Sequence, residues 1–250
     1  MIAIGAGRIG TALQRAAQTR GIPFTLIDRK EGWDALDGPP GEPILALVRT
    51  DDLGAVADRI PRARVADLVI VQNGMLRESL AALGLERCTR GELYFAVASR
   101  ESNPIIGYPS ILTGLHAPVV MDELVALGIP ARDVDWLTFT YYELEKTVWL
   151  SAFGLLCESH GVNVGAIAAD HRHELSVLVR ELMSVGRRVY GIDAPHAFTL
   201  DRLVRYAQSI ASWPAAVRDI PYRTGWFDDA ARRAGMELAA FQALLARRSG

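Results

Sequence analysis

The 250-residue chain has two cysteines, and no apolar run in it approaches the roughly 20 residues that span a bilayer. Cys88 and Cys157 are far apart and lack metal-type spacing, so no cysteine-built metal centre is expected. An excess of one charge is also missing. The 27 basic residues stand against 29 acidic ones, for a net charge of −2, so neither nucleic acid nor an anionic membrane is expected as a partner. Internal repeats, low-complexity tracts and long flexible linkers are absent too. The N-terminus opens straight into an apolar segment, with no basic region or cleavage site, which makes a cytoplasmic location the expectation. Cys157 reads as apolar filler on a helix. Cys88, beside Glu86, Arg87 and Arg90, reads as a surface-loop residue.

What is present is the composition of a globular protein, 50% hydrophobic and 22% charged, with length for one large or two ordinary domains. It begins with "IAIGAGRIG". Gly5, Gly7 and Gly10 make a G-x-G-x-x-G spacing after a short apolar strand and before a segment with helical periodicity that Gly21 stops. In such a turn the first glycine permits the sharp bend, the second lets a pyrophosphate approach the backbone, and the third lets helix and strand pack closely. The residues of the turn, Gly5, Ala6, Gly7, Arg8, Ile9 and Gly10, are therefore the candidate cofactor cradle, with the helix N-terminus facing the phosphates. A second strand, 23–27, ends in Asp28, placed where an acid would accept a ribose hydroxyl. Without a ligand, the same pattern would be a tight strand-to-helix turn.

Further strands are expected at 43–48, 66–71 and 93–98, with helices from Asp51 or Asp52 and over 77–83. The loop at 31–43 is rich in Gly, Pro and acid and leaves no room for another strand and helix. Alternating strands and helices predict an α/β fold with an N-terminal Rossmann, doubly wound parallel sheet, whose ligand face lies at the strand carboxyl ends. From about Tyr141 the strand patterns cease. Helices are expected at 143–159, 171–190, 200–211, 227–234 and 237–248. The division expected is a dinucleotide-binding domain at 1–138 and an all-helical substrate domain at 139–250, with the active site in the cleft between them.

Several stretches, taken in order, make the chain similar to the ketopantoate reductase (2-dehydropantoate 2-reductase) family: the glycine turn, "ILALVRTDDL", "VQNGM", "ELEKTVWL" and "DIPYRTGWFDDAARRAGM". The resemblance implies NADP- or NAD-dependent reduction of a small 2-keto acid. It implies Lys146 as general acid, at the first turn of the long helix, with Asn73 and Asp219 as orienting groups. It also implies Arg49 near the cofactor, where the family has lysine, and Arg29 against a 2′-phosphate. From the residues alone, each has an ordinary reading. Lys146 is a solvated lysine near Glu143 and Glu145, Asn73-Gly74 is a turn pair, and Asp219 is a solvated loop acid. Asp28 favours NAD and Arg29 favours NADP, with a slight lean to NADP.

The departures point to substrate. Asparagines that the family presents four and eight positions after the lysine are Leu150 and Gly154 here, so a pocket more apolar than one for ketopantoate is expected, with Ser151 a partial substitute. A 2-hydroxyacid dehydrogenase for an apolar substrate therefore rivals pantoate chemistry. The alternative of another class is a non-catalytic dinucleotide-binding sensor. A homodimer is a further expectation. Trp213, Tyr222, Trp226 and Phe227 read as interhelical core. His160, His171 and His173 flank a helix end, and with no carboxylate joining them at ligand spacing, no metal site is expected.

Overall fold

The computed structural model describes residues 1–249, which form two compact units: 1–72 with 76–139, and 73–75 with 140–249.

The first unit is built on β1 (Ile2–Ile4), α1 (Arg8–Arg20), β2 (Thr25–Ile27), β3 (Ile44–Ala46), α2 (Leu53–Arg59), β4 (Leu68–Ile70), α3 (Arg77–Ala82) and β5 (Thr89–Glu92). A small antiparallel pair follows, β6 (Phe95–Ala96) and β7 (Ile105–Ile106), and then β8 (Ser110–Thr113), α4 (Ala117–Ala126) and β9 (Ala131–Asp133). The main sheet has seven strands in the order β2-β1-β3-β4-β5-β8-β9. The first five run parallel; β8 pairs antiparallel to β5, and β9 pairs parallel to β8. The doubly wound parallel sheet expected from the sequence is present, and this flank adds one antiparallel pairing to it. No helix lies between β5 and β8, and without a crossover the returning strand must run antiparallel.

The central strands Ile2–Ile4, Ile44–Ala46 and Leu68–Ile70 are buried throughout, as strands covered on both faces must be. Because successive side chains alternate faces, Ala3, Leu45 and Val69 share one side of the sheet. There they pack with Leu13 and Ala17 of α1 and Val120 and Leu124 of α4. At about 25 cal/mol per Å² of apolar surface removed from water, such a layer is the main stabilising term of the unit.

Two expectations fail in this unit. The sheet strand is Thr89–Glu92, not 93–98; the apolar run after it forms the β6–β7 pair instead. Cys88 is 2% exposed, not a surface residue: its thiol donates to the Val65 carbonyl, and burial pushes its pKa up to about 11.

The second unit is helical: α5 (Trp136–His160, its first turn belonging to the first unit), α6 (Val164–Asp170), α7 (Arg172–Tyr190), α8 (His196–Ser209), α9 (Thr224–Arg233) and α10 (Ala239–Ser249). Asn163 caps α6 through its side-chain oxygen, which accepts from the Ala166 N–H at 3.0 Å. Leu144, Val148, Phe153 and Leu156 of α5, Leu175, Leu178 and Leu182 of α7, Phe227 of α9 and Phe241 of α10 are buried. Trp149 stacks on Phe153 and meets Tyr206 edge-on, with ring centroids 4.9 Å apart in both pairs. Of the aromatic set expected in the core, Trp226 and Phe227 are buried, while Trp213 and Tyr222 are half-buried. Cys157 is buried on α5.

Candidate functional site

The candidate residues of the first unit follow the carboxyl ends of adjacent parallel strands: Gly5 after β1, Asp28 after β2 and Arg49 beyond β3. The chain moves from β1 outward to β2, then crosses back to β3 on the other side of β1. That reversal is where a doubly wound sheet opens a crevice for a ligand.

The three glycines of the turn have different reasons to be glycine. A Cβ on Gly5, whose φ is +120°, would overlap the Leu47 carbonyl, and one on Gly10 would overlap the Gly5 carbonyl. Both are therefore demanded by the fold. Gly7 is exposed, and a Cβ on it would meet nothing within 4 Å. It is the extended N-cap of α1, with no side-chain cap and no acid in the first turn, so the helix presents its free amide end and positive dipole there. The cradle thus fits a pyrophosphate. Gly7 is the position where nothing in the protein itself calls for glycine.

The loop after β2 is tightly held. The Asp28 carboxylate accepts from the amides of Lys30 at 2.6 Å and Glu31 at 2.8 Å, and these bonds hold its pKa below the usual carboxylate value. Trp33 donates its indole N–H to the Asp28 carbonyl at 2.7 Å, and the Arg59 guanidinium lies 3.8 Å above the Trp33 ring. Arg59 also donates to the Arg29 carbonyl at 3.0 Å, while Arg29 and Lys30 are exposed. Only a short turn of 3₁₀ helix, Trp33–Leu36, lies between β2 and β3, and β2 is the sheet edge. Arg49 is 75% exposed, and its nearest acid is Asp51 at 3.9 Å. Gln72, buried, donates from its amide to the carbonyls of Ala46 at 2.6 Å and Val48 at 2.9 Å, tying the end of β4 to that of β3.

In the second unit the structure brings the Asn73 and Asp219 turns together. Met75 donates its N–H to the Tyr222 carbonyl at 2.8 Å, and Tyr222 donates to the Asp219 carbonyl at 3.0 Å. A Cβ on Gly74, at φ +121°, would overlap the Tyr222 carbonyl. The Asn73 side-chain oxygen is buried and accepts from no protein donor. Such an orphaned acceptor is uncommon in a folded protein. Asp219 has φ +48° and pairs with Arg223 at 2.7 Å, a cation that the sequence reading passed over. The i, i+4 spacing of Asp219 and Arg223 was the available signal.

Lys146 lies in the third turn of α5, because that helix begins ten residues earlier, at Trp136; the expected first-turn placement is corrected. The lysine is 6% exposed, so the solvated reading does not hold, and Glu143 and Glu145 are equally buried. Glu145 is committed elsewhere. It accepts three hydrogen bonds from Arg202, at 2.9, 3.0 and 3.2 Å, and one from the Tyr141 hydroxyl at 2.6 Å. Burial and this carboxylate push the Tyr141 pKa upward. Leu150 is half-buried. Gly154 lies against the backbone of Ala216 and Val217, where a Cβ would come within 3.2 Å, tighter than ordinary van der Waals contact. Ser151 is turned inward to Thr224, 3.4 Å away.

The fold is therefore a Rossmann-type doubly wound sheet followed by a helical unit. Among solved structures it resembles a PanE/ApbA-family ketopantoate reductase from Ralstonia eutropha, at TM-score 0.74 and 17% identity, covering 98% of this chain and 96% of that one. It also resembles D-mandelate dehydrogenase bound to NADH and anilino(oxo)acetate, at TM-score 0.77 and 13% identity, covering 97% and 95%. A third is the dimeric ketopantoate reductase from Staphylococcus aureus, at TM-score 0.73 and 13% identity, covering 98% and 96%. No protein-family model and no curated protein sequence matches the chain.

Proposed function

We propose that this protein is an NAD(P)H-dependent reductase of a small 2-keto acid whose substituent is more apolar than that of ketopantoate. The observation that carries the reading is the uncapped, acid-free start of α1 with open space at Gly7, beside two glycines the fold itself requires. Gly5, Ala6, Gly7, Arg8, Ile9 and Gly10 would hold the pyrophosphate. Arg29, exposed, would meet a 2′-phosphate, and Arg49 would add positive charge near the cofactor. Asp28 already serves its own loop through Lys30 and Glu31, which supports the lean to NADPH over NADH.

When bound, the nicotinamide supplies a hydride to the keto carbon. Lys146 donates a proton from Nζ to the carbonyl oxygen as negative charge develops there, giving the 2-hydroxy acid. Asn73, with its unpartnered oxygen, orients substrate or cofactor; Asp219, with Arg223 beside it, orients the substrate and its carboxylate. Leu150 in place of a polar residue, and Gly154 packed on backbone, support an apolar substituent. The likeness to an enzyme named for mandelate, as well as to ketopantoate reductases, agrees with that. The dimeric Staphylococcus aureus neighbour makes a homodimer the proposed assembly.

The test is oxidation of NADPH and NADH by the purified protein, followed by absorbance, with ketopantoate and with phenylglyoxylate. Turnover faster with the aryl acid supports the proposal. Turnover with ketopantoate alone overturns the apolar pocket. No turnover with either, together with a thermal shift on adding dinucleotide, replaces the enzyme by a dinucleotide-binding sensor.

A further inference from the structure

The end of α5 and the start of α7 meet across the short helix α6. His160 is the last residue of α5, His171 links α6 to α7, and Glu174 lies in the first turn of α7. The two imidazole rings stack with centroids 3.8 Å apart. Both rings direct a nitrogen at the same carboxylate: His160 Nε2 lies 3.1 Å from Glu174 Oε2, and His171 Nδ1 lies 3.1 Å from Glu174 Oε1. One ligand atom from each of the three residues lies within 4.8 Å of the others. The expectation that no carboxylate joins these histidines is thereby corrected.

We propose that His160, His171 and Glu174 form a binding site for a divalent transition-metal ion of the zinc class, which clamps the end of α5 to the start of α7. Tetrahedral zinc holds nitrogen and oxygen donors at about 2.0–2.2 Å, which separates neighbouring donors by roughly 3.3 Å. Each histidine nitrogen lies 3.1 Å from its own Glu174 oxygen and the three ligand atoms lie within 4.8 Å of one another, so rotation of the side chains inward by about an ångström is needed to admit the ion. Two imidazoles and one carboxylate suit zinc, copper or nickel, whereas magnesium and calcium prefer oxygen ligands throughout. Three protein ligands leave the fourth position to water.

The side chains are open to solvent, at 26% for each histidine and 48% for the glutamate, so an ion can reach them. Neighbouring charges are engaged elsewhere. Arg172 pairs with Asp201 at 2.6 Å, and Glu158 pairs with Arg248 at 2.8 Å and accepts from the Val217 amide. The inference concerns a helix junction and does not depend on the proposed reduction.

The test is calorimetric titration of the untagged, chelator-stripped full-length protein with Zn²⁺, and of the variants H160A, H171A, E174Q and H173A. A single Zn²⁺ is expected to bind the natural chain and raise its melting temperature. E174Q, H160A and H171A should each weaken binding by about tenfold or more. H173A should bind as the natural chain does, and Mg²⁺ should give no binding. Tetrahedral cobalt bands on adding Co²⁺, lost in E174Q, would report the geometry directly. The proposal is overturned if the natural chain shows no saturable Zn²⁺ binding, or if E174Q binds unchanged. E174Q alters an exposed side chain without changing its size, so it remains decisive should a histidine variant fail to fold.

Discussion

The Met75 amide donates to the Tyr222 carbonyl at 2.8 Å, which makes the Asn73–Met75 turn and the Asp219–Tyr222 turn a single backbone assembly. Two of the three proposed catalytic side chains are thus positioned by one hydrogen bond and by the absence of a side chain at Gly74. Gly74→Ala should lower stability by about 1–3 kcal/mol for the strained φ alone. It should also reduce kcat, through displacement of Asn73 and Asp219. Thermal melts and steady-state rates would check both, and an unchanged melting temperature would show that the turn can yield.

Gly7 and Gly10 should separate when each is replaced by alanine. Gly10→Ala forces a Cβ into the Gly5 carbonyl and should lower the melting temperature. Gly7→Ala should melt like the natural chain but bind dinucleotide at least about tenfold more weakly, a loss of some 1.4 kcal/mol. Differential scanning fluorimetry with and without NADPH reads both effects.

Lys146→Met should reduce turnover by about 10²-fold or more while leaving the dissociation constant for NADPH unchanged. Fluorescence titration of the cofactor alongside the rate assay separates the two. Equal turnover in variant and natural chain would remove Lys146 as proton donor.

Arg29→Ala should weaken NADPH binding by about tenfold and leave NADH binding unchanged, because only the former carries the 2′-phosphate. Parallel titrations with the two cofactors decide it. A loss shared by both would assign Arg29 to the loop instead.

Burial pushes the Tyr206 pKa from its ordinary 10.0 to about 12. In the unfolded chain the phenol ionises near 10, before the folded one does. Its contribution to stability is therefore present below pH 10 and is lost as pH rises from 10 toward 12. Tyr141, also pushed upward, adds in the same sense. Urea midpoints should fall over this interval, and less steeply in Tyr206→Phe. An equal slope in the variant would place the alkaline sensitivity elsewhere.

The legible parts of the sequence were those where one residue type has one physical use. The glycine turn, the Asp28 strand end and the helical second half read directly, because glycine spacing and apolar periodicity carry them. β5 escaped because its residues, Thr89, Arg90, Gly91 and Glu92, are polar or small yet fully buried, and the more apolar run beside it drew the assignment. Arg90 lies 5.5 Å from the Phe139 ring centroid, a tertiary contact with no local signature. Cys88 was misplaced for the same reason: charged neighbours in sequence do not report that its thiol faces Val65. The expected start of α5 at 143 falls seven residues late, because Trp136–Tyr142 lacks a clear apolar stripe. Glu174 lies 14 residues beyond His160, on the far side of a seven-residue helix, and only the fold brings them into one cluster.

The sheet ends on both flanks in strands of three residues, β2 and β9, the former preceded at two residues by Pro23 and the latter directly by Pro130. Proline has no N–H to offer an incoming chain, and three residues expose too few backbone groups to template a partner strand. After β2 the Asp28 turn folds the chain back on itself, with the Asp28 amide donating to the Glu31 carbonyl at 3.2 Å. A seven-stranded sheet whose borders are this brief resists growth by strand addition, and keeps its first unit from polymerising through its edges.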